Sequence, residues 1–318
     1  MSLLGIDLGG TKLLARAVSA DGAVWFHVRA ATGRAMGPDA ALAAIERVAA
    51  EARARTGEVE AVGVGFPGLV DHARGVARSS VMLDGWRDVP LAARLEERLG
   101  VPCAVDNDVN AAALHELHIR GAKEMLFVAV GTGIGGALVL DGRLRRGAGG
   151  FAGEIGHIVV ERDGRPCDCG RRGCVNRYAS GTAIEADAGL EAGELRARAG
   201  HDVCVVGPAL AAAADALGVA IGSALNLLDV PLVVLGGGVA QLGPAYVAAV
   251  AARARRECFC EIGHDCAFEA ARGGYDGAAL GAVALAAQRL DEAGHPLSRA
   301  IRSSSSAYAR ASRSAADG

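Results

Sequence analysis

The chain opens twice in the same way, and that repetition limits what it can fold into. Residues 3–8 (LLGIDL) form a short apolar run that breaks at Gly9-Gly10-Thr11-Lys12. Residues 125–130 (MLFVAV) form another, breaking at GTGIGG, residues 131–136. Strand-like residues follow each break: 13–19 and 23–30 joined at Asp21-Gly22, then 137–140 ending at Asp141-Gly142. Asp-Gly suits a tight hairpin turn, because both residues tolerate positive φ. Residues 38–55 place Leu42, Ile45, Ala49 and Ala52 on one face with Pro38 near the start, the pattern of an amphipathic helix. A buried strand at 61–66 runs into Pro67-Gly68, a helix covers about 88–99, and a strand at 102–105 meets Asp106-Asn107-Asp108. The second opening leads to an alanine-rich helix at 208–228 and a strand at 231–235 ending in Gly236-Gly237-Gly238. Helices at about 241–256 and 277–291 complete the series. Strands alternating with helices predict an α/β fold, here as two related halves facing a cleft.

Composition narrows the function. Across 318 residues, 33 basic and 36 acidic side chains give a net charge of -3, which implies no polyanionic partner. Asp7 and Lys12 interrupt the first apolar run, so no cleavable signal is expected. The longest apolar stretches are read as too short or too polar to span a bilayer. Eight cysteines in a chain of this length fit a reducing cytoplasm, with some thiols on metal, better than a secreted disulfide framework. The tail at 303–318 is rich in Ser, Ala and Arg without an apolar period and is expected to be disordered.

Residues 153–174 read GEIGHIVVERDGRPCDCGRRGC and place His157, Cys167, Cys169 and Cys174 within 18 positions. Three thiols and one imidazole are a ligand set for a closed, tetrahedral structural zinc. Glu154 and His157 stand beside that knot, where zinc could hold them against a small ligand. Cys258, Cys260, His264 and Cys266 also have metal-like spacing, but free thiols are the better reading there. His115 and His118, one helical turn apart, read as an ordinary exposed pair.

The glycine turns suit phosphate. In DLGGTK, Gly9 and Gly10 let backbone N–H groups approach anionic oxygens. Asp7 could hold magnesium through water, and Thr11 and Lys12 could contact the phosphate. GTGIGG has the spacing of a dinucleotide fingerprint, but that fingerprint needs a helix directly after it. ALVLDGR comes next instead, so a phosphate-binding hairpin fits better than a dehydrogenase. Gly236, Gly237 and Gly238 sit between a strand and a helix and could pack a nucleotide's adenosine end. Asp106, Asn107 and Asp108 can each cap the following helix. A carboxylate at this strand end can also accept a proton from a substrate hydroxyl while Asn107 orients the substrate.

Taken in order, these pieces resemble the ROK family of sugar kinases and repressors, within the actin-like, hexokinase-type ATPase superfamily. The resemblance runs from Leu3 to about residue 290, through DLGGTK, GVGFPGLVD (63–71), DNDVNAAAL (106–114), GTGIGGALV (131–139), GEIGH, CDCGRRGC, YASGTA (178–183) and VVLGGGVA (233–240). It implies two actin-like (ribonuclease H-like) α/β domains flanking a cleft, with a structural zinc loop at 153–176. The first domain would cover 1–107, joined by the last helix at about 284–300, and the second 108–283. The implied activity is ATP-dependent, magnesium-assisted phosphorylation of a hexose 6-hydroxyl, the sugar being glucose or a glucose-like amino sugar. Asp108 becomes the general base, and Gly68, Asn107, Glu154 and His157 join it in binding the sugar. His157, Cys167, Cys169 and Cys174 become the zinc ligands. ATP would meet Asp7, Gly9, Gly10, Thr11 and Lys12, then Gly131, Thr132 and Gly133, then Gly236, Gly237 and Gly238.

Two departures concern the sugar. The family usually has a Glu two residues after the last zinc cysteine; here that sugar-facing position is Asn176. Where the family often reads Ala-Pro-Asn-Leu, this chain has Ser80-Val81-Met82-Leu83. The competing readings are a non-catalytic sugar-sensing regulator and a polyphosphate-using glucokinase. A first strand at Leu3 is expected to leave no room for a DNA-reading module ahead of it. The partners expected are sugar, ATP and further copies of the same chain, with no nucleic acid and no membrane.

Overall fold

The computed structural model describes residues 1–19, 23–199 and 203–292. In chain order its elements are β1 (Ser2–Leu8), β2 (Lys12–Ser19), β3 (Val24–Ala31), α1 (Pro38–Thr56), β4 (Val59–Phe66), β5 (Leu69–Asp71), β6 (Val76–Ser79) and β7 (Arg87–Val89). Next come α2 (Leu91–Leu99), β8 (Cys103–Asn107), α3 (Asp108–Arg120), β9 (Met125–Val130), β10 (Ile134–Leu140), β11 (Arg143–Arg145), α4 (Asn176–Ala179), α5 (Gly181–Asp187) and α6 (Leu195–Ala199). The series ends with α7 (Val203–Leu228), β12 (Leu232–Gly236), α8 (Gly237–Ala240), α9 (Pro244–Glu257), α10 (Cys260–Asp265), β13 (Ala267–Ala270) and α11 (Gly277–Glu292). The Asp21-Gly22 turn and the tail at 303–318 lie outside the described residues, as do residues 293–300 of the expected last helix.

The chain divides into two compact units. The first holds Met1–Gly121, Gly147–Phe151 and the chain from Asp276 onward; the second holds Ala122–Arg146 and Ala152–Tyr275. The division therefore falls after α3 rather than after Asn107. The reason is packing: α3 lies against α11 and β4, both in the first unit.

Both units carry a five-stranded sheet with the same logic. The first is ordered β3-β2-β1-β4-β8 and the second β11-β10-β9-β12-β13. In each, a leading strand pairs antiparallel with its successor on one side and parallel with a later strand on the other. That parallel pairing is made through helical crossovers. In β1, Leu4, Ile6 and Leu8 pack with α1 and α2, while Leu3 faces the cluster built on α11. Burial on both faces explains why β1 reads as a continuous apolar run. In the second unit, Leu126, Val128 and Val130 of β9 join Leu217, Ile221 and Leu225 of α7 and Val247 and Val250 of α9.

Three expectations change. Residues 87–89 form a strand, and α2 starts only after Pro90, whose fixed φ suits a helix start. His115 is fully buried in α3, and burial drives its imidazole pKa down to about 3, so it is neutral. Val206–Leu228 is long and apolar enough, by length and composition, to cross a membrane; half of that stretch is buried, and α7 packs along α9.

The first unit depends on close backbone contact with α11. A β-carbon at Gly63 of β4 would collide with the Ala282 carbonyl oxygen, and one at Gly281 would collide with that of Ala111 in α3. Backbone atoms cannot swing aside, so the sheet, α11 and α3 pack only with glycine at these positions. Gly63→Ala should therefore destabilise the fold by about 2–4 kcal/mol, seen as a lower urea midpoint. An unchanged midpoint would contradict the tight seat of α11.

Candidate active site and metal centre

In the first unit, Asp7 lies at the end of β1, opposite Leu14 of β2 and Gly65 of β4. The next turn is closed by the Gly9 N–H donating to the Lys12 carbonyl at 2.8 Å. Thr32, just past β3, braces it from outside: its hydroxyl donates to Gly9 O at 2.7 Å and its N–H to Thr11 O at 3.1 Å. Gly10 packs beside Met82, one of the departures from the family pattern.

Asp108 is the first residue of α3, directly after β8, and its Oδ1 accepts the Val109 N–H at 2.9 Å. Asn107 is the N-cap: its Oδ1 accepts from Val109 N (2.9 Å) and Asn110 N (3.2 Å), and its Nδ2 donates to Gly68 O (3.1 Å). Asp106 is buried and serves the junction, accepting from the Asn107 N–H at 2.8 Å and from Asn110 Nδ2 at 3.0 Å. Of the three polar residues in a row, two thus cap or brace the strand-to-helix turn, and both steady the backbone that carries Asp108. Ser80 holds the neighbouring loop by donating to Pro67 O at 2.5 Å.

The electrostatics of this corner are unbalanced. Burial, and next the charge of Asp108, push the Asp7 pKa from 3.8 up to about 7; Lys12 works against that shift and Asp276 adds to it. Asp276 itself is paired with the buried Arg16 at 2.5 Å. The negative charges of Asp108 and Asp276 that help hold a proton on Asp7 would also favour a divalent cation, so Asp7 fits the magnesium role.

In the second unit, GTGIGG spans the β9–β10 connection, and β10 begins inside the motif at Ile134, so the glycines lead into a strand and not a helix. The Gly131 N–H donates to Gly133 O at 2.9 Å, which tightens the turn. Gly236 ends β12, and Gly237, with φ of 81°, starts α8, in a backbone shape that favours glycine.

The ligand atoms of His157, Cys167, Cys169 and Cys174 all lie within 4.8 Å of one another. Cys169 Sγ is 3.6 Å from Cys174 Sγ, and Cys167 Sγ is 3.7 Å from His157 Nδ1. Those separations match the edge of a tetrahedron with metal–sulfur bonds of about 2.3 Å, which is about 3.8 Å. The Arg171 backbone N–H is the main cause that lowers the Cys169 thiol to about 6, whereas burial pushes Cys174 up to about 12. One thiolate is favoured and a second is resisted, a conflict that a thiophilic dication removes. The donor set therefore fits zinc. Nε2 of His157 faces Glu154, 3.9 Å from its exposed carboxylate, and Arg171 donates to the His157 carbonyl at 2.9 Å.

Asn176, the residue expected to face sugar, accepts the Ile134 N–H on its Oδ1 at 2.7 Å. Among the described residues Cys258, Cys260 and Cys266 join no metal-type group; Cys258 and Cys266 are buried, and the side chain of His264 lies outside the description. The Arg16–Asp276 pair beside Asp7 was not signalled in the sequence, its members being far apart in the chain.

The fold and these sites define a two-unit α/β protein with a glycine-rich turn after the leading strand of each unit and a Cys3His metal-type centre in the second. The chain belongs to the ROK family, whose model matches residues 3–289. It is 33% identical over 293 residues to the N-acetylmannosamine kinase of Salmonella heidelberg, covering 90% of this chain and 98% of that one. It is 38% identical over 186 residues to the glucokinase of Streptomyces coelicolor, and that match spans only 57% of the relative's length. Among solved structures, the ROK family glucokinase from Streptomyces griseus in complex with glucose and AMPPNP superposes with a TM-score of 0.79 at 30% identity, covering 91% of this chain and all of that one.

The charge at Asp7 gives a signed pH prediction. Its folded pKa lies above its unfolded value of 3.8, so ionised Asp7 costs stability fully above about pH 7 and not at all below about pH 4. Full burial would make three pH units worth about 4 kcal/mol, and its partial contact with solvent brings the expectation to about 2. Asp7→Asn should thus raise the unfolding midpoint at pH 8, with the gain fading towards pH 4. A gain that is flat with pH, or a loss at pH 8, would contradict the assignment.

Proposed function

We propose that the protein is an ATP-dependent sugar kinase that transfers the γ-phosphoryl group to the 6-hydroxyl of a hexose. The observation that carries this reading is Asp108, presented at the head of α3 with its charge felt by Asp7 at the glycine turn. Phosphoryl transfer needs a positioned hydroxyl, a base and charge stabilisation, with little covalent chemistry from the protein. Asp108 receives the hydroxyl proton, and the Val109 N–H keeps its carboxylate in one orientation. Gly68, Asn107, Glu154 and His157 bind sugar hydroxyls. His157 would face zinc through Nδ1 and the Glu154 side through Nε2.

Asp7, Gly9, Gly10, Thr11 and Lys12 supply one set of ATP contacts, and Gly236, Gly237 and Gly238 another. In the hairpin, the amides of Gly131 and Ile134 are already hydrogen-bonded within the unit, so Thr132 and Gly133 are the amides assigned to phosphate. Magnesium, when bound, neutralises charge on the ATP phosphates; zinc, when bound, is structural.

The names of the relatives support glucose or an N-acetylated amino sugar as the class of acceptor. Free cysteines suit a reducing cytoplasm as the site of action.

Asp108→Asn keeps the shape and the capping acceptor but cannot take the proton. Its kcat, followed by ADP release from Mg-ATP with glucose or N-acetylmannosamine, should fall about 10²–10⁴-fold while the melting temperature holds. Retention of more than a tenth of the wild-type turnover would remove Asp108 from the base role.

A further inference from the structure

Asn176 stands two residues after the zinc-type ligand Cys174, at the start of α4. Its Oδ1 reaches back to the glycine hairpin and accepts the Ile134 N–H at 2.7 Å. The other side of the same residue is met by Gly156, next to the ligand His157: a β-carbon there would collide with the Ile134 carbonyl oxygen. Ile134 is thus held between two segments that each carry a metal-type ligand. Those segments are also joined to one another, because the Val175 N–H donates to Ile158 O at 2.9 Å.

The start of α5 adds two more ties to the hairpin. The Gly181 N–H donates to Gly131 O at 2.7 Å, and the Thr182 hydroxyl donates to Thr132 O at 3.0 Å. Four consecutive hairpin residues therefore have three of their backbone groups fixed by a segment that starts at Cys174.

We propose that Asn176 is a positioning residue that couples the Cys3His centre to the glycine hairpin at Gly131–Ile134, so that metal loading sets the protein's affinity for nucleotide phosphate. An amide oxygen suits this task. It accepts the Ile134 N–H without placing a negative charge beside a phosphate, as a carboxylate at the same position would. With the metal in place, Cys174 and His157 fix the two segments, and the amides of Thr132 and Gly133 are preset before nucleotide arrives. Without it, the clamp loses its anchor, and nucleotide must bear the cost of ordering the hairpin. The nucleotide half of this inference rests on the kinase reading above; the clamp itself does not.

The test compares full-length zinc-loaded wild type, the same protein after chelation, Asn176→Ala and Thr182→Val. Hydrogen exchange is read over residues 125–140, and Mg-AMPPNP and glucose affinities are read by calorimetry. Chelation and Asn176→Ala should both speed exchange at residues 131–136. Asn176→Ala should weaken Mg-AMPPNP about tenfold, the scale of one hydrogen bond, with zinc content kept. Thr182→Val should shift the same readouts in the same direction by less, which guards against a misfolded Asn176 variant. Exchange at 131–136 that ignores both chelation and Asn176→Ala would overturn the clamp. So would an Asn176→Ala variant that keeps the wild-type AMPPNP affinity. Wild type that binds no AMPPNP would instead contradict the kinase reading, and the exchange comparison would still decide the clamp.

Discussion

The gathering of three thiols and an imidazole within 4.8 Å is the contact on which the functional half of the second unit depends. The segment around it has little regular structure: a single turn of 3-10 helix at Ile155–His157 and two isolated bridges, Val159 with Cys174 and Pro166 with Arg172. Ile155 and Val175 at its ends join the core of the second unit, but residues 161–173 between them are mostly glycine and charged and offer little apolar surface to bury. A bound dication would supply what burial does not, because holding several thiolates together costs too much without one. His157, the start of α4 and the brace on the hairpin all adjoin that knot.

The first unit meets the opposite problem. There the core is large, with α11 seated on the sheet through glycine contacts, and the cost is concentrated at one corner. Asp7 is kept in a place that favours its protonated form, next to Asp108 and near Asp276. Such a carboxylate lowers stability at neutral pH and gains its value only when a cation shares the site. Stability and the magnesium role proposed for Asp7 pull in opposite directions at this residue.

Much of this was legible in the sequence. The doubled opening predicts two sheets built alike, because a strand, a glycine break and a hairpin leave few other ways to pair. The metal-type centre was legible because its ligands are local and their chemistry is narrow. The GTGIGG hairpin was separated from a dinucleotide fold by the strand directly after it, where that fold requires a helix. Other features depend on contacts between distant residues. Whether α3 belongs to the first unit is decided by α11, more than 150 positions away, and the Arg16–Asp276 pair spans a similar gulf. The membrane-like composition of α7 comes from packing along α9, since an interior helix and a membrane helix bury similar side chains. The contact of Asn176 with the hairpin could not be read from the sequence, because its partner, the Ile134 amide, lies 42 residues earlier.

Phosphoryl transfer to a sugar can be followed by the fate of a label on ATP. Zinc-loaded protein would be incubated with magnesium, ATP labelled at the γ-phosphorus, and separately glucose, mannose, glucosamine, N-acetylmannosamine or N-acetylglucosamine. The label should move onto the 6-oxygen of at least one of these sugars. Label found only in inorganic phosphate, or left on ATP with every sugar, would contradict it.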